Sequence, residues 1–181
     1  RPAETDPTTG NSAMKLFLAL PVLLVTLTAC ISEAAAAPST SGVCEAQILK
    51  AARKWGVPPG ILHSVGLTET GRKGALYPFA LNIEGRTVFA DSLSGALREF
   101  ERARGEGRSL IDLGCMQINY RYHGEAFASP AQMLDPEKNV EYAARFLSDL
   151  HARHQTWTMA VARYHAGPNN DPAQKRYVCR V

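Results

Sequence analysis

Residues 58–71 read PPGILHSVGLTETG, an apolar stretch that opens on two prolines, ends on a glycine and carries a single carboxylate. Proline in the first turn and glycine after the last turn are typical boundaries of an α-helix. Leu62, Val65 and Glu69 follow one another at spacings of three and four residues, so a helix places them on one face. The sequence therefore predicts a buried helix with Glu69 on its apolar side.

A carboxyl group on an apolar face has two interpretations. Apolar surroundings resist ionisation and raise the pKa of a carboxyl group, and a carboxyl that stays protonated near neutral pH can act as a general acid. Alternatively, Glu69 lies at the last turn, half out of the core, and pairs with a cation such as Arg72. The spacing alone leaves both interpretations open.

Other segments predict further helices and a small amount of β structure. Residues 44–55 carry an apolar stripe that ends at Gly56, and capping residues or prolines mark four more helix starts, at Asp91 or Ser92, Asp135, Thr156 and Asp171. Residues 78–90 have β-type side chains on either side of Glu84-Gly85, which predicts a hairpin. The predicted fold class is mainly α, a single helical domain with a small β-hairpin element.

The composition limits the class of protein. The chain has 181 residues, of which 45% are hydrophobic and 20% charged, as in one soluble globular domain. The net charge of +3 is spread along the chain without a run of Lys or Arg, so no nucleic-acid partner is expected. The cysteines and histidines show no metal-ligand spacing, so no metal site is expected.

Residues 1–37 are expected to be an upstream extension and a secretory signal. From Met14 the chain has one Lys, an apolar run too short to cross a membrane, and then small residues. Two processing routes stay open: cleavage in the alanine run at residues 34–37, or lipid attachment at Cys30 in the lipobox-like residues 27–30. Both predict an exported, periplasmic domain over residues 38–181, held at a membrane only if Cys30 is lipidated.

Four segments together resemble the signatures of one enzyme family. Residues 69–71, ETG, are similar to Glu-Ser-Gly, and residues 114–119, GCMQIN, resemble Gly-Leu-Met-Gln-Ile. Residues 139–144, NVEYAA, are similar to Asn-Ile-x-x-Gly-Ala, and residues 160–167, AVARYHAG, to Ala-Val-x-x-Tyr-Asn-Ala-Gly. In this order they are the motifs of the lytic transglycosylases, the goose-lysozyme-like family that includes the soluble lytic transglycosylase catalytic domain. Thr70, Cys115 and His165 depart from the usual Ser, Leu and Asn.

The resemblance implies a lysozyme-like α+β fold and a reaction. Family members cleave the MurNAc–GlcNAc β-1,4 bond of peptidoglycan without water and leave a 1,6-anhydro-MurNAc end. Glu69 would serve as the single general acid and base, with Tyr164 orienting it, and no cofactor is needed. The resemblance implies substrate contacts from the motif residues, namely Thr70, Met116, Gln117, Asn119, Tyr164 and His165.

The expected partners are peptidoglycan glycan strands, with the protein acting as a monomer or serving an envelope-spanning secretion or flagellar assembly. Three other functions stay open. One is a hydrolytic muramidase in which Glu84 or Asp91 holds a water molecule as general base. Another is a non-catalytic peptidoglycan-binding assembly protein that keeps the fold, against which an intact Glu69 argues. The third is a structural helical domain of a secretion machine, for which Glu69→Gln would cause no loss.

Three cysteines follow the signal segment, which in an oxidising compartment predicts one disulfide and one leftover thiol. A Cys44–Cys115 bond is favoured, because an inward-facing cysteine of an exported protein seldom stays reduced when a partner is near, and the bond would pin the first helix to the substrate-binding segment. It closes a loop of about 70 residues, a stabilisation of about 3–4 kcal/mol by chain entropy. A Cys44–Cys179 bond, which would join the ends of the domain, and an unpaired Cys115 in the core stay open.

Overall fold

The structure is a computed structural model that describes residues 42–70, 74–166 and 171–181. The predicted signal segment and both of its processing sites, Cys30 and residues 34–37, lie outside these residues, as do Gly71, Arg72 and Gly167. The longer helices are α1 (Val43–Trp55), α2 (Pro59–Thr70), α3 (Leu93–Gly105), α6 (Pro136–His154), α7 (Trp157–Ala166) and α8 (Asp171–Val178). Two single-turn helices, α4 (Tyr120–His123) and α5 (Pro130–Met133), flank a 3-10 turn at Gly124–Ala126.

The ends of the helices follow the predicted capping chemistry. Gly56 ends α1 in the left-handed conformation, at φ 66°. Ser92, rather than Asp91, caps α3, and Asp135 caps α6. Each of these side chains, and that of Thr156 before α7, accepts a hydrogen bond from the backbone N–H three residues further on. These contacts confirm the predicted starts of the three helices.

The β structure is larger than the predicted hairpin. Strands β1 (Ala80–Ile83) and β2 (Arg86–Phe89) form that hairpin around Glu84 and Gly85, which both have positive φ. Strands β3 (Ile111–Leu113) and β4 (Ile118–Asn119) extend it to a four-stranded antiparallel sheet of order β2-β1-β3-β4. The two added strands are only three and two residues long, too short for an alternating pattern to show in the sequence.

Helix α6 is the centre of the helical core, since it packs against both α1 and α7, and α8 packs along α7. Its inner face is formed by Val140, Ala143, Ala144 and Leu147, all fully buried. On the surface, ion pairs from Lys50 to Glu137 and from Lys54 to Glu141 join α1 to α6. The mainly α, lysozyme-like fold class predicted from the sequence is confirmed.

A disulfide bond joins Cys44 of α1 to Cys115 in the segment between β3 and β4, with 5.8 Å between their Cα atoms. Both side chains are completely buried. Cys179 is a free, exposed thiol. The favoured pairing is confirmed, and the two alternatives, a bond from Cys44 to Cys179 and an unpaired Cys115, are wrong.

Candidate active site

Glu69 lies in the last turn of α2, and its side chain is 16% exposed. One turn earlier, Gly66 lets two side chains approach the helix closely. A Cβ atom at position 66 would lie 3.1 Å from Met116 Sδ and 3.2 Å from the Leu76 methyl groups. The absence of a side chain at Gly66 therefore lets the segment that contains Met116 pack directly beneath the end of α2 that carries Glu69.

That segment, residues 114–117, which we name the motif turn, is held by one buried amide. The Asn139 side chain of α6 is completely buried. Its Nδ2 donates to the carbonyl oxygens of Leu113 and Met133, each at 2.8 Å, and its Oδ1 accepts from Met116 N at 2.8 Å. Gly114 has φ 80°, and a Cβ there would lie 2.5 Å from Asn139 Nδ2. The second and third sequence motifs are thus parts of one hydrogen-bonded unit.

The fourth motif contacts the same unit through Tyr164 of α7. Tyr164 Oη donates to the Met116 carbonyl oxygen at 2.8 Å, and not to Glu69 as expected from the sequence. Burial, together with the charges of Glu69 and Asp112, raises the pKa of Tyr164, so its hydroxyl group stays protonated as a donor. The Met116 side chain is fully buried, and the prediction that the backbone around Met116 lines a sugar cleft stays a prediction.

The residue that does contact Glu69 is the next one along the chain. His165 Nδ1 lies 3.0 Å from Glu69 Oε1. The imidazole is 36% exposed, so part of it contacts solvent. The His165 ring also stacks on the ring of Tyr177 from α8, with 4.0 Å between centroids and 8° between planes. The sequence predicted His165 as a substrate contact and did not single out Tyr177.

A second carboxyl group, Asp112 of β3, interacts with Glu69. Burial raises the pKa of Asp112 to about 6, and the charge of Glu69 adds to this, while a hydrogen bond from Asn119 and the charge of His165 oppose it. Asn119 Nδ2 donates to Asp112 Oδ1 at 2.7 Å across the β3–β4 pair. The site therefore holds two acids, of which Glu69 was predicted and Asp112 was missed.

The motifs, the sheet and the helix order agree with a comparison against protein-family models. Residues 47–180 match the model described as the transglycosylase SLT domain. The chain belongs to this family. The match covers most of the chain and confirms the predicted resemblance to the lytic transglycosylases. Comparisons with curated proteins and with solved structures find no match.

Family membership indicates a lytic transglycosylase domain that acts on peptidoglycan. None of the helices in the described ranges is both long and apolar enough to cross a bilayer. Within those same ranges, no group of three or more His, Cys, Asp or Glu side chains is arranged to hold a metal ion.

Two other predicted substrate contacts of the SLT domain are tied to protein groups. Gln117 has φ 47°, and its Nε2 donates to the carbonyl oxygens of Ala80 at 3.2 Å and Gly114 at 3.0 Å. Asn119, besides its bond to Asp112, accepts from the backbone N–H of Arg121 and so caps α4. Both side chains are partly buried. The side chain of Thr70 lies outside the described part of the SLT domain.

The acids proposed from the sequence for a hydrolytic mechanism lie in other surroundings. The Glu84 carboxylate forms an ion pair with Arg108 at 2.7 Å, and this hydrogen bond lowers the pKa of Glu84. Asp91 is exposed next to the cap of α3. Asp112 is the acid whose pKa the charge of Glu69 raises, and a water-holding role for Glu84 or Asp91 stays a prediction. The sequence signal for Asp112 is a lone acid between the apolar residues Ile111 and Leu113, two positions before the GCMQIN motif.

Proposed function

We propose that the SLT domain is a peptidoglycan lytic transglycosylase in which Glu69 acts as both general acid and general base. It cleaves the β-1,4 bond between MurNAc and GlcNAc. The observation that supports this best is the position of the Glu69 carboxyl group. It is only 16% exposed, hydrogen-bonded to His165, and next to the motif turn that three of the four sequence motifs build or contact. A carboxyl group placed in this way can exchange a proton with a bound sugar while largely shielded from water.

In the first step, the protonated Glu69 donates to the glycosidic oxygen while the bond from that oxygen to C1 of MurNAc breaks. The carbonyl oxygen of the substrate's own acetamido group bonds to C1 and takes up the positive charge. The GlcNAc end leaves as an alcohol, and Glu69 is left as a carboxylate. In the second step, Glu69 accepts the proton of the C6 hydroxyl group while O6 bonds to C1 and displaces the acetamido oxygen. The product is 1,6-anhydro-MurNAc, Glu69 is protonated again, and no water is consumed.

In this proposal the glycan strand lies against the motif turn. Gln117, Asn119 and Thr70 contact the bound sugars. Tyr164 does not contact them and instead supports the turn through its hydrogen bond to the Met116 carbonyl oxygen. The domain acts as an exported monomer on the cell wall, alone or for an envelope-spanning machine, and is attached to a membrane only if Cys30 is lipidated.

A second candidate, hydrolysis, is favoured by Asp112. Its pKa of about 6 means that above this pH it is ionised and can take a proton from a water molecule that attacks C1. The product then carries a reducing end instead of an anhydro ring. The two products differ in mass by one water molecule, so they can be told apart directly.

The test is a digestion of purified sacculi, with mass spectrometry of the released muropeptides. We expect the wild type to release anhydro products, and Glu69→Gln to lose all but a trace of activity, a drop of about a hundredfold or more, because it has no proton to transfer. Its far-UV circular dichroism spectrum should be unchanged.

Glu84→Gln is the matched control, since the same chemical change at an ion-paired surface acid should keep full activity. More than a tenth of wild-type activity in Glu69→Gln would contradict the role of Glu69. Reducing-end products that disappear in Asp112→Asn would establish the hydrolytic candidate instead.

A further inference from the structure

The last two helices of the domain meet at the Glu69 carboxyl group. We propose that His165 and Tyr177, together the Glu69 clamp, are positioning residues that hold Glu69 in both of its protonation states. This inference rests on the proposed function, and it replaces the expectation that His165 contacts the sugar.

The geometry of the Glu69 clamp is that of a supported hydrogen bond. His165 Nδ1 and Glu69 Oε1 are 3.0 Å apart. The imidazole is kept in place by parallel stacking on Tyr177, at 4.0 Å and 8°. Tyr177 is itself 1% exposed, so its ring cannot turn away. The orientation of the imidazole, and through it of Glu69, thus depends on α8 being packed along α7.

The Tyr177 hydroxyl group adds a second, unfilled donor. It is buried and has no hydrogen-bond partner of ordinary geometry within the described part of the chain. Burial and the nearby charge of Glu69 raise the pKa of Tyr177, so the group stays protonated. A buried donor without an acceptor is unfavourable. A Glu69 carboxylate that turns toward Tyr177 would accept a hydrogen bond from this hydroxyl group and remove that cost.

The imidazole suits a carboxyl group that alternates between acid and base. A neutral imidazole has one donor nitrogen and one acceptor nitrogen. With the proton on Nδ1 it donates to the Glu69 carboxylate, and with the proton on Nε2 it accepts from the protonated carboxyl group. The side chain is 36% exposed, so solvent can exchange these protons. An Asn amide, the usual residue of the family at this position, offers the same choice of donor and acceptor.

Protonation of the imidazole removes this choice. A charged imidazole can only donate, and its charge favours the Glu69 carboxylate over the protonated acid that the first step needs. The activity of the wild type, relative to a variant with an uncharged partner for Glu69, should therefore fall as the pH is lowered and the imidazole takes up a proton.

Other titratable or charged groups interact with the pair from each neighbouring element. They are Asp112 on β3, Tyr164 on α7, and Tyr177 and Arg180 at the end of the chain, the last through its charge on Tyr177. The Asp112 carboxylate favours the charged imidazole, but Asp112 is itself protonated below about pH 6. Below this pH the neutral Asp112 no longer stabilises the charged imidazole of His165. The fall in activity is therefore spread over a wider pH range but keeps its direction.

The experiment compares His165→Leu and His165→Asn with the wild type in kcat and KM for muropeptide release from pH 5 to pH 8. We expect His165→Leu to lower kcat about tenfold or more with little change in KM, because Glu69 loses its orientation. His165→Asn should restore most of kcat at pH 8, and the ratio of wild-type to His165→Asn activity should fall toward pH 5.

Tyr177→Phe keeps the stacked ring and removes only the hydroxyl group, so kcat should fall less than in His165→Leu. Tyr122→Phe is its matched control, since Tyr122 is 70% exposed, and its activity should be unchanged. An unchanged kcat in His165→Leu, or a rise in KM alone, would overturn the Glu69 clamp and return His165 to the role of a sugar contact.

A readout without activity separates this inference from the proposed function. The nitrogen-15 NMR signal of His165 Nδ1 should move in Glu69→Gln and stay in place in Glu84→Gln, whether or not the protein releases muropeptides. A signal that stays in place in both variants would overturn the Glu69 clamp. A wild type without muropeptide release, but with the expected NMR shift, would instead overturn the proposed function.

Discussion

Glu69 and Asp112 are two carboxyl groups of one site with different partners. Glu69 lies in the last turn of a helix and is paired with an imidazole, whereas Asp112 lies on a short strand and accepts from an amide. A neutral amide stabilises an ionised carboxylate less than a cation does. Burial is therefore the dominant influence on Asp112, and it raises the pKa of this group from 3.8 to about 6.

Asp112→Asn should change the free energy of unfolding in a way that depends on pH. Between pH 3.8 and about pH 6 the folded protein binds more protons at Asp112 than the unfolded chain does, so wild-type stability falls as the pH rises. Above this range the penalty is complete, up to about 3 kcal/mol before allowance for solvent screening of the partly exposed side chain. The variant should match the wild type at pH 4 and exceed its stability at pH 7, as measured by urea denaturation.

Glu84→Gln is the control for that series, because the Arg108 ion pair lowers the pKa of Glu84 and the pH dependence then has the opposite sign. A difference between Asp112→Asn and the wild type that is the same at pH 4 and pH 7 would contradict the burial of an ionised Asp112.

At the residue scale, the sequence predicted Glu69 because a helix repeats its faces every three to four residues. Asp112 lies in a strand of three residues, which is too short for an alternating pattern of apolar and polar residues to be recognised. Tyr177 reaches the site only because α8 folds back along α7, and no local pattern carries that information. The chemistry of His165 was visible in the sequence, but its partner was not.

At the scale of elements, the motif turn shows how a glycine and an asparagine from different motifs require each other. Gly114→Ala should destabilise the fold by about 2–4 kcal/mol, since it adds left-handed strain and a contact that displaces Asn139 from three hydrogen bonds. Gly107 has the same φ of 80°, but beyond its two chain neighbours no heavy atom of the described residues lies within 4 Å of a Cβ placed there. Gly107→Ala therefore measures the strain alone, about 1 kcal/mol.

Urea denaturation measures the free energy of unfolding of both variants. The difference between their losses is the contribution of the contact with Asn139. Equal losses in the two variants would show that the turn adapts and that Asn139 is not displaced. Activity should fall together with stability in Gly114→Ala, because a shift of the motif turn moves Met116, which packs against α2 one turn before Glu69.

The same scale explains which elements could be predicted. Each of α1, α2, α3, α6, α7 and α8 has a capping residue, a proline or a terminal glycine within it or next to it, so local chemistry predicts it. Strands β3 and β4 are stabilised by pairing with residues elsewhere in the chain, such as Leu81 with Leu113. The hairpin was predictable because its turn lies between its two strands.

At the scale of the whole molecule, the disulfide joins α1 to the motif turn and so links the helical core to the sheet. Replacing Cys44 and Cys115 together by serine should lower the free energy of unfolding by about 4 kcal/mol, the chain entropy of a loop of this length. Cys179→Ser removes the exposed thiol and should leave stability unchanged. Urea denaturation with and without a reductant checks both, and a wild type that is insensitive to reduction would contradict the stabilising role.

The Cys44–Cys115 bond also makes the chain between these residues a covalent ring, with a sequence separation of 71. Glu69 lies inside this ring, whereas His165 and Tyr177 lie on the linear tail that follows it. A single cut anywhere in the ring opens it without releasing a fragment, so the cut protein migrates as one species until it is reduced and as two afterwards. A cut in the tail between Cys115 and His165 separates the acid from its imidazole partner, and only non-covalent packing then keeps the two together.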